Sequence, residues 1–286
     1  MSRKDHYYNK AKQEGYRSRA AYKLQQLDDL ENVISSGDTV VDLGAAPGGW
    51  LQVAAERVGP QGRVIGVDLQ RIKDLEDDTL ADRVETIRGD MTEERTRERV
   101  IEAADGKVDC VLSDMAPNMS GEYSLDQARS LYLARMAFET AVELLDTDGD
   151  FLVKVFQGPD VEDLRSDVEA EFQYVRATSP KASRQESSEI YFIAKGRLTT
   201  PVRAGDELEV EIVDVGNEGD GIASVDGYRL FVPSTEEGET VSVRVEDVKP
   251  RFGFAQRIDR DGDVDTGGET NMDTDADADA DTDTNA

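Results

Sequence analysis

The segment Asp42-Leu43-Gly44-Ala45-Ala46-Pro47-Gly48-Gly49-Trp50 joins an apolar, strand-like run to a helix-like one. Glycines at such a junction let the backbone turn where side chains would obstruct it, and let a ligand lie against the main chain. Gly44, Gly48 and Gly49 lack the G-x-G-x-x-G spacing that seats a pyrophosphate on a helix N-terminus, which disfavours a dinucleotide-dependent oxidoreductase. The turn alone says little, because strand-to-helix turns also use glycine for packing. Three carboxylates add chemistry. Asp68 ends the second strand-like run, where a carboxylate can accept from both hydroxyls of a ribose; Asp90 follows the third, placed to accept from an exocyclic adenine amine; Asp114 ends the fourth. Each alone is as readily an N-cap or a solvated carboxylate. Their recurrence at successive strand ends favours a nucleoside ligand, with Gly44, Gly48, Gly49, Trp50, Asp68, Asp90 and Asp114 as candidate contacts.

The elements that must position these residues alternate strand and helix, as in an open α/β sheet. TVVDLG, RVIGVDL, RVETIRGD, KVDCVLSD and DFLVKVF read as strands, and helices are expected near Trp50 to Val58, Glu93 to Ala103, Ser124 to Leu145 and Val161 to Glu171. Phe172 to Ala177 and Glu189 to Ala194 add two β segments, and Ala21, Leu24, Leu27 and Leu30 recur at helical spacing within Ser18 to Leu30. Parallel strands with crossover helices bring ligands to the strands' carboxyl ends. After Gly196 the pattern becomes short strands punctuated by glycine, which suits a five-strand barrel. From Asp259 eleven acidic residues stand against one arginine in a near-repeat of Asp-Ala and Asp-Thr, the composition of a disordered tail. The expected divisions are 1–196, 200–258 and 259–286.

The 286 residues carry a net charge of −29, which ordinarily argues against a nucleic-acid partner. Arginine outnumbers lysine, and aspartate is abundant through both expected domains, the pattern of proteins adapted to high internal salt. There the Debye length falls to about 3 Å or less, so self-repulsion is weak. Residues 1–23 are the exception: Arg3, Lys4, Lys10, Lys12, Arg17, Arg19 and Lys23 face only Asp5 and Glu14, and RNA contact is expected there. No apolar run approaches a membrane span and no secretory signal is evident, so a cytoplasmic protein without a membrane partner is expected. Cys110 is the one cysteine, in the apolar VDCVLSD, and reads as a core residue; His6 is the one histidine and reads as part of a flexible segment. Neither a disulfide framework nor a metal site is expected.

Four further motifs, Arg17-Ser-Arg-Ala-Ala-Tyr-Lys23-Leu, Ser113-Asp114-Met-Ala-Pro-Asn118, Lys154-Val-Phe-Gln-Gly158 and Ser187-Ser-Glu189-Ile-Tyr191, together resemble the FtsJ-type ribosomal RNA 2′-O-methyltransferases over residues 1 to about 196. The resemblance implies a Rossmann-like class I methyltransferase fold with a mostly parallel seven-stranded sheet. It also implies S-adenosylmethionine as cofactor, and a catalytic Lys-Asp-Lys-Glu tetrad falling on Lys23, Asp114, Lys154 and Glu189. A ribose hydroxyl is a poor nucleophile, so methyl transfer needs it aligned with the S–CH₃ bond and its proton accepted. Family analogy gives the acceptor role to Lys154. Relatives of this length methylate a uridine ribose of large-subunit ribosomal RNA on the assembled 50S subunit, which is the expected partner of a monomer. Enzymes acting on tRNA share the tetrad, and a non-catalytic assembly factor on the same fold is a further alternative. The segments Gly205 to Gly216, Gly219 to Val225, Leu230 to Pro233 and Gly238 to Val243 resemble a TRAM domain, an RNA-binding β-barrel. Its six Lys or Arg against thirteen Asp or Glu over 200–258 depart from a basic surface, so stacking by Tyr228, Phe231, Phe252 and Phe254 is expected to matter, some of these being barrel core.

Overall fold

The computed structural model describes residues 6–106, 108–184, 187–216 and 219–258. Two short helices, α1 (His6–Glu14) and α2 (Ala21–Glu31), precede β1 (Thr39–Leu43), α3 (Gly49–Val58), β2 (Arg63–Asp68), α4 (Asp78–Ala81), β3 (Val84–Arg88), α5 (Glu94–Ala104) and β4 (Val108–Ser113). Then follow α6 (Tyr123–Leu144), β5 (Leu145–Phe156), α7 (Val161–Glu171), β6 (Phe172–Thr178) and β7 (Glu189–Arg197). The strands form one sheet in the order β3-β2-β1-β4-β5-β7-β6. β7 runs antiparallel between β5 and β6, and the other neighbours in the β3 to β5 half are parallel. This is the mixed, mostly parallel seven-stranded α/β sheet that the resemblance implies.

Continuous apolar runs in β1, β4 and β5 suit strands covered on both faces. Val41, Leu43, Val111, Phe151 and Val153 pack with α5, α6 and α7 on one face; Val40, Leu112, Leu152 and Ile193 pack with α2 and α3 on the other. Cys110 is fully buried on the second face. Helix α2 begins at Ala21 rather than Ser18, the preceding residues forming turns. His6 opens α1, a helix the sequence pattern left unread: its stripe is short, with Ala11 its one buried residue. Arg3, Lys4 and Asp5 lie outside the described residues, as does the whole acidic segment 259–286.

Behind the sheet β8 (Glu207–Val215), β9 (Gly221–Val225), β10 (Tyr228–Val232), β11 (Thr240–Val248) and β12 (Phe252–Arg257) close into a barrel in the order β10-β12-β11-β8-β9. Alternation drives it: in β11 Val241, Val243 and Val245 point inward, whereas Arg244 and Glu246 point to solvent. Closure leaves no unpaired sheet edge. Leu198 and Val202, before the first barrel strand, already belong to the barrel core. Glu171 at the end of α7 holds both Arg197 (2.5 Å) and Arg203 (2.8 Å), tying the barrel's approach to the sheet.

Candidate active site

Strand register assembles the site before any side chain is considered. Val67, Leu43, Ser113 and Val153 are partners across β2, β1, β4 and β5, and Lys154 pairs with Tyr191 on β7. One residue beyond that row, Asp68, Gly44, Asp114, Lys154 and Tyr191 therefore share a single line on the α2–α3 face of the sheet. Gly44 interrupts the line of side chains, at φ +81, and a Cβ there would stand 2.7 Å from Met115 Cγ. The backbone must be bare at that point.

A connected chain of polar groups runs along one end of this line. Lys154 Nζ donates to Asp114 Oδ1 (2.8 Å) and to the Asp114 carbonyl (2.6 Å). The Tyr191 hydroxyl donates to the same Asp114 Oδ1 at 3.0 Å and accepts from Lys23 Nζ at 3.0 Å. Lys23 in turn pairs with Glu189 at 2.6 Å. Lys23, Lys154 and Glu189 are buried, and Tyr191 is fully so. Burial by itself would push the Asp114 carboxyl up; Lys154 and Lys23, with hydrogen bonds from Lys154 and Tyr191, outweigh it and hold Asp114 below the usual carboxylate range. Burial first, then the carboxylates Asp114 and Glu189, push the Tyr191 phenol well above its ordinary value, so it remains a neutral donor.

Beside Asp114 opens a cavity of about 830 Å³ lined by Gly44, Asp68, Asp90, Met115, Asn118 and Tyr132 among others. Asp68 and Asp90 already accept from the backbone: Asp68 Oδ2 from Ala46 N (3.0 Å) and Oδ1 from Gln70 N (2.7 Å), and Asp90 Oδ1 from Thr92 N (2.9 Å). A carboxylate has about four acceptor positions, so each keeps capacity for a ligand while its direction is fixed by the loop. Of the seven candidate contacts, Gly44, Asp68, Asp90 and Asp114 line the cavity. Gly48, Gly49 and Trp50 are buried outside its lining, at the start of α3. Trp50 turns its ring toward Tyr191 and donates its indole N–H to the Ala20 carbonyl at 2.9 Å, so its side chain braces α2 against α3. A Cβ on Gly48, at φ +106, would stand 2.8 Å from the Arg17 guanidinium.

Arg17, one of the basic residues where RNA contact is expected, is engaged within the chain. Its guanidinium donates to the carbonyls of Pro47 (3.2 Å), Lys73 (2.5 Å) and Asp74, strapping the glycine turn to the loop after β2. Lys10 lies over the Tyr22 ring and 3.8 Å from Glu14. With Lys23 in the polar chain, the basic cluster is thus partly structural. Arg19 stays beside the site, near Arg184, Glu189, Tyr191 and Asp114.

Sequence reasoning overlooked three participants. Tyr191 lay inside a quoted motif but was given no role. Asp126 is buried on α6 and accepts from Ser120 N (2.8 Å), Ser120 Oγ (2.8 Å) and Gly121 N (3.1 Å), anchoring the loop that carries Met115 to Asn118. Asp42, the first residue of the glycine segment, is fully buried, and neither oxygen has a hydrogen-bond partner among the described residues. In the barrel, Tyr228 is core, its hydroxyl donating to the Lys249 carbonyl at 2.7 Å. Phe252 and Phe254 are exposed, each with its ring centroid 5.8 Å from that of Phe231 and 5.7 Å from the other.

Among the described residues no group of three or more His, Cys, Asp or Glu could hold a metal, and no helix is long and apolar enough to cross a membrane. The chain is 64% identical to the ribosomal RNA large subunit methyltransferase E of Natronomonas pharaonis, over 91% of this chain and the whole of that protein. It is 63% identical to the protein of that name from Halorubrum lacusprofundi, over 91% of this chain and 95% of that one. The halophilic source of these relatives fits the acidic composition. A crystal structure of a candidate ribosomal RNA methyltransferase from Plasmodium falciparum superposes with a TM-score of 0.56 at 28% identity, covering 64% of this chain and 98% of that one. Residues 16–197 match the FtsJ-like methyltransferases and residues 201–258 match the TRAM domain, so the chain belongs to the FtsJ-like methyltransferase family and carries a TRAM domain behind the catalytic fold.

Proposed function

We propose that the chain transfers a methyl group from S-adenosylmethionine to the ribose 2′-hydroxyl of a uridine in large-subunit ribosomal RNA, on the assembled 50S subunit. The observation that carries this reading is the continuous chain Glu189–Lys23–Tyr191–Asp114–Lys154, in which Asp114 also lines the cavity. The cavity fits the cofactor. Asp68 suits the ribose hydroxyls, Asp90 the adenine amine and Met115 an apolar ring, while Gly44 leaves room for close approach. Gly49 and Trp50 lie outside the cavity lining, at the start of α3, where a methionine carboxylate reaching past the lining would meet the N–H groups of a helix N-terminus. Bound there, S-adenosylmethionine supplies an electrophilic methyl group on a sulfonium.

The remaining work falls to the chain's own residues. Asp114 fixes Lys154 by two hydrogen bonds, and Lys154, once its ammonium has given up a proton to solvent, is assigned as acceptor of the 2′-hydroxyl proton. Glu189 and Tyr191 fix Lys23, which together with Arg19 orients the target nucleotide. Counterion release is worth little at high salt, so the exposed Phe252 and Phe254 are assigned to base stacking. The relatives' name favours ribosomal RNA over tRNA as substrate, and the intact polar chain favours turnover over a purely structural role in assembly.

Ribose-methylation mapping of all stable RNAs from a deletion strain tests the reading. One uridine of large-subunit ribosomal RNA should lose its 2′-O-methyl group, and purified protein with S-adenosylmethionine should restore it on isolated 50S subunits. Loss of a tRNA mark instead would move the substrate, and an unchanged map would remove the enzyme.

A further inference from the structure

Three carboxylates cluster around the bare Gly44 backbone, and two of them are compensated. Asp114 has Lys154, Lys23 and Tyr191; Asp68 has two backbone donors. Asp42 has no partner. It pairs in register with Gly66 on β2 and Leu112 on β4, which places its side chain one pleat beneath Gly44, on the same face as Asp68 and Asp114. The residues that α3 buries over this face, Gly49, Trp50, Leu51, Val53, Ala54, Ala55 and Val58, carry no charge. The charged groups that face Asp42 are therefore Asp68 from β2 and Asp114 from β4, with Lys154, Lys23 and Tyr191 beyond Asp114.

An ionised carboxylate that is desolvated and unpaired is strongly unfavourable. Burial, then Asp114 and Asp68, push the Asp42 carboxyl well above the usual carboxylate range, which favours the neutral acid in the cofactor-free protein. The acid is ready to ionise as soon as a cation is placed above it.

We propose that Asp42 is the internal counter-ion of the cofactor's sulfonium: it releases its proton to solvent when the sulfonium binds above Gly44, and takes one back from solvent once methyl transfer has removed that charge. This rests on the reading of the cavity as the S-adenosylmethionine site. The charge balances at each stage. One O–H bond of Asp42 breaks as one fixed positive charge arrives, and re-forms when the sulfur becomes a neutral thioether. The consequence is selectivity. The anion under the sulfur favours the methyl donor over the demethylated product, and that preference grows with pH.

Isothermal titration calorimetry of the full-length protein near pH 7, in two buffers of different ionisation enthalpy, counts the protons released on binding S-adenosylmethionine and S-adenosylhomocysteine. The α-amino group is common to both ligands, so the difference isolates the sulfonium. About one proton more should be released with S-adenosylmethionine. In Asp42→Asn, which keeps the shape of the neutral acid, the difference should vanish, and the preference for S-adenosylmethionine should fall about tenfold or more. A wild-type protein releasing equal protons with both ligands overturns the proposal, as does an Asp42→Asn variant that keeps the difference. Failure of either ligand to bind would instead overturn the cofactor reading. Thermal unfolding supplies a ligand-free check. A raised carboxyl leaves the native state holding a proton that the unfolded chain has lost, so stability falls as pH rises from the ordinary carboxylate range through the folded value. Asp42→Asn should lack that slope and melt higher than the wild type at neutral pH.

Discussion

Lys154 carries the sharpest residue-level expectation, because the two hydrogen bonds it donates to Asp114 fix it and its Nζ lies at the end of the polar chain. Lys154→Ala should retain S-adenosylmethionine affinity, since the cavity lining does not include it, yet lose methyl transfer by about 10²–10⁴-fold in single-turnover assays. Lys154→Arg keeps the cation but not a group that deprotonates at accessible pH, and should be almost as slow. An arginine variant with most of the wild-type rate would make Lys154 an electrostatic positioner. Tyr191 offers a different test. Its ring fills the core beside Trp50, while its hydroxyl alone links Lys23 to Asp114. Tyr191→Phe should fold normally and slow single-turnover transfer by about tenfold, the size of one lost hydrogen bond of roughly 1.4 kcal/mol. A rate equal to wild type would show that Lys23 and Asp114 act independently.

At the scale of elements, the loop between β4 and α6 brings Asp114, Met115 and Asn118 to the cavity, and no sheet hydrogen bond holds it there. Asp126 does so from the first turn of α6, with three donors from Ser120 and Gly121. Those hydrogen bonds hold its carboxyl below the ordinary range, against the opposing effect of burial. Its contribution is therefore present at neutral pH and is lost only as pH falls through that lowered value. Asp126→Ala should raise the Michaelis constant for S-adenosylmethionine several-fold more than it lowers the turnover number. Equal loss in both would mean that the loop orders the tetrad rather than the cofactor. Arg17 is the corresponding strap on the other side, between the glycine turn and the residues after β2. Arg17 acts from 30 and 56 residues away in sequence, whereas Asp126 lies five or six residues from the loop it holds.

For the whole molecule, the closed barrel meets the sheet through Glu171, Arg197 and Arg203, with Leu198 already in the barrel core. A catalytic fragment should therefore end at Arg197, where the last sheet strand stops. Removing everything beyond it should leave cofactor affinity within about twofold, because the cavity is lined only by residues up to Met136. Binding to 50S subunits should weaken by tenfold or more if the two stacking contacts assigned to Phe252 and Phe254, of about 1–3 kcal/mol each, are lost, as measured by co-sedimentation. A large loss of cofactor affinity in a folded fragment would show that the barrel shapes the site. The charge of −29 sets the conditions for every such measurement, since a surface of one sign needs salt to screen its self-repulsion.

The local sequence determined the strands, most helices, the glycine turn and the acids at the strand ends, because periodicity and turn chemistry are short-range properties of the chain. The family motifs added Lys23, Lys154 and Glu189 as a set, without saying how they touch. Tertiary structure decided the rest. Lys23 and Tyr191 are 168 residues apart in sequence, and they meet only because β7 enters antiparallel beside β5 in a register that sets Tyr191 against Lys154. Arg17 reads as a basic surface residue until the loop after β2 is placed beneath it, and His6 as flexible until Ala11 packs against Tyr22 and Ala182. Asp42 is the plainest case. Its neighbours in sequence are ordinary strand residues, and its isolation from every hydrogen-bond partner among the described residues arises from the two strands and one helix that cover it, which long-range pairing alone brings together.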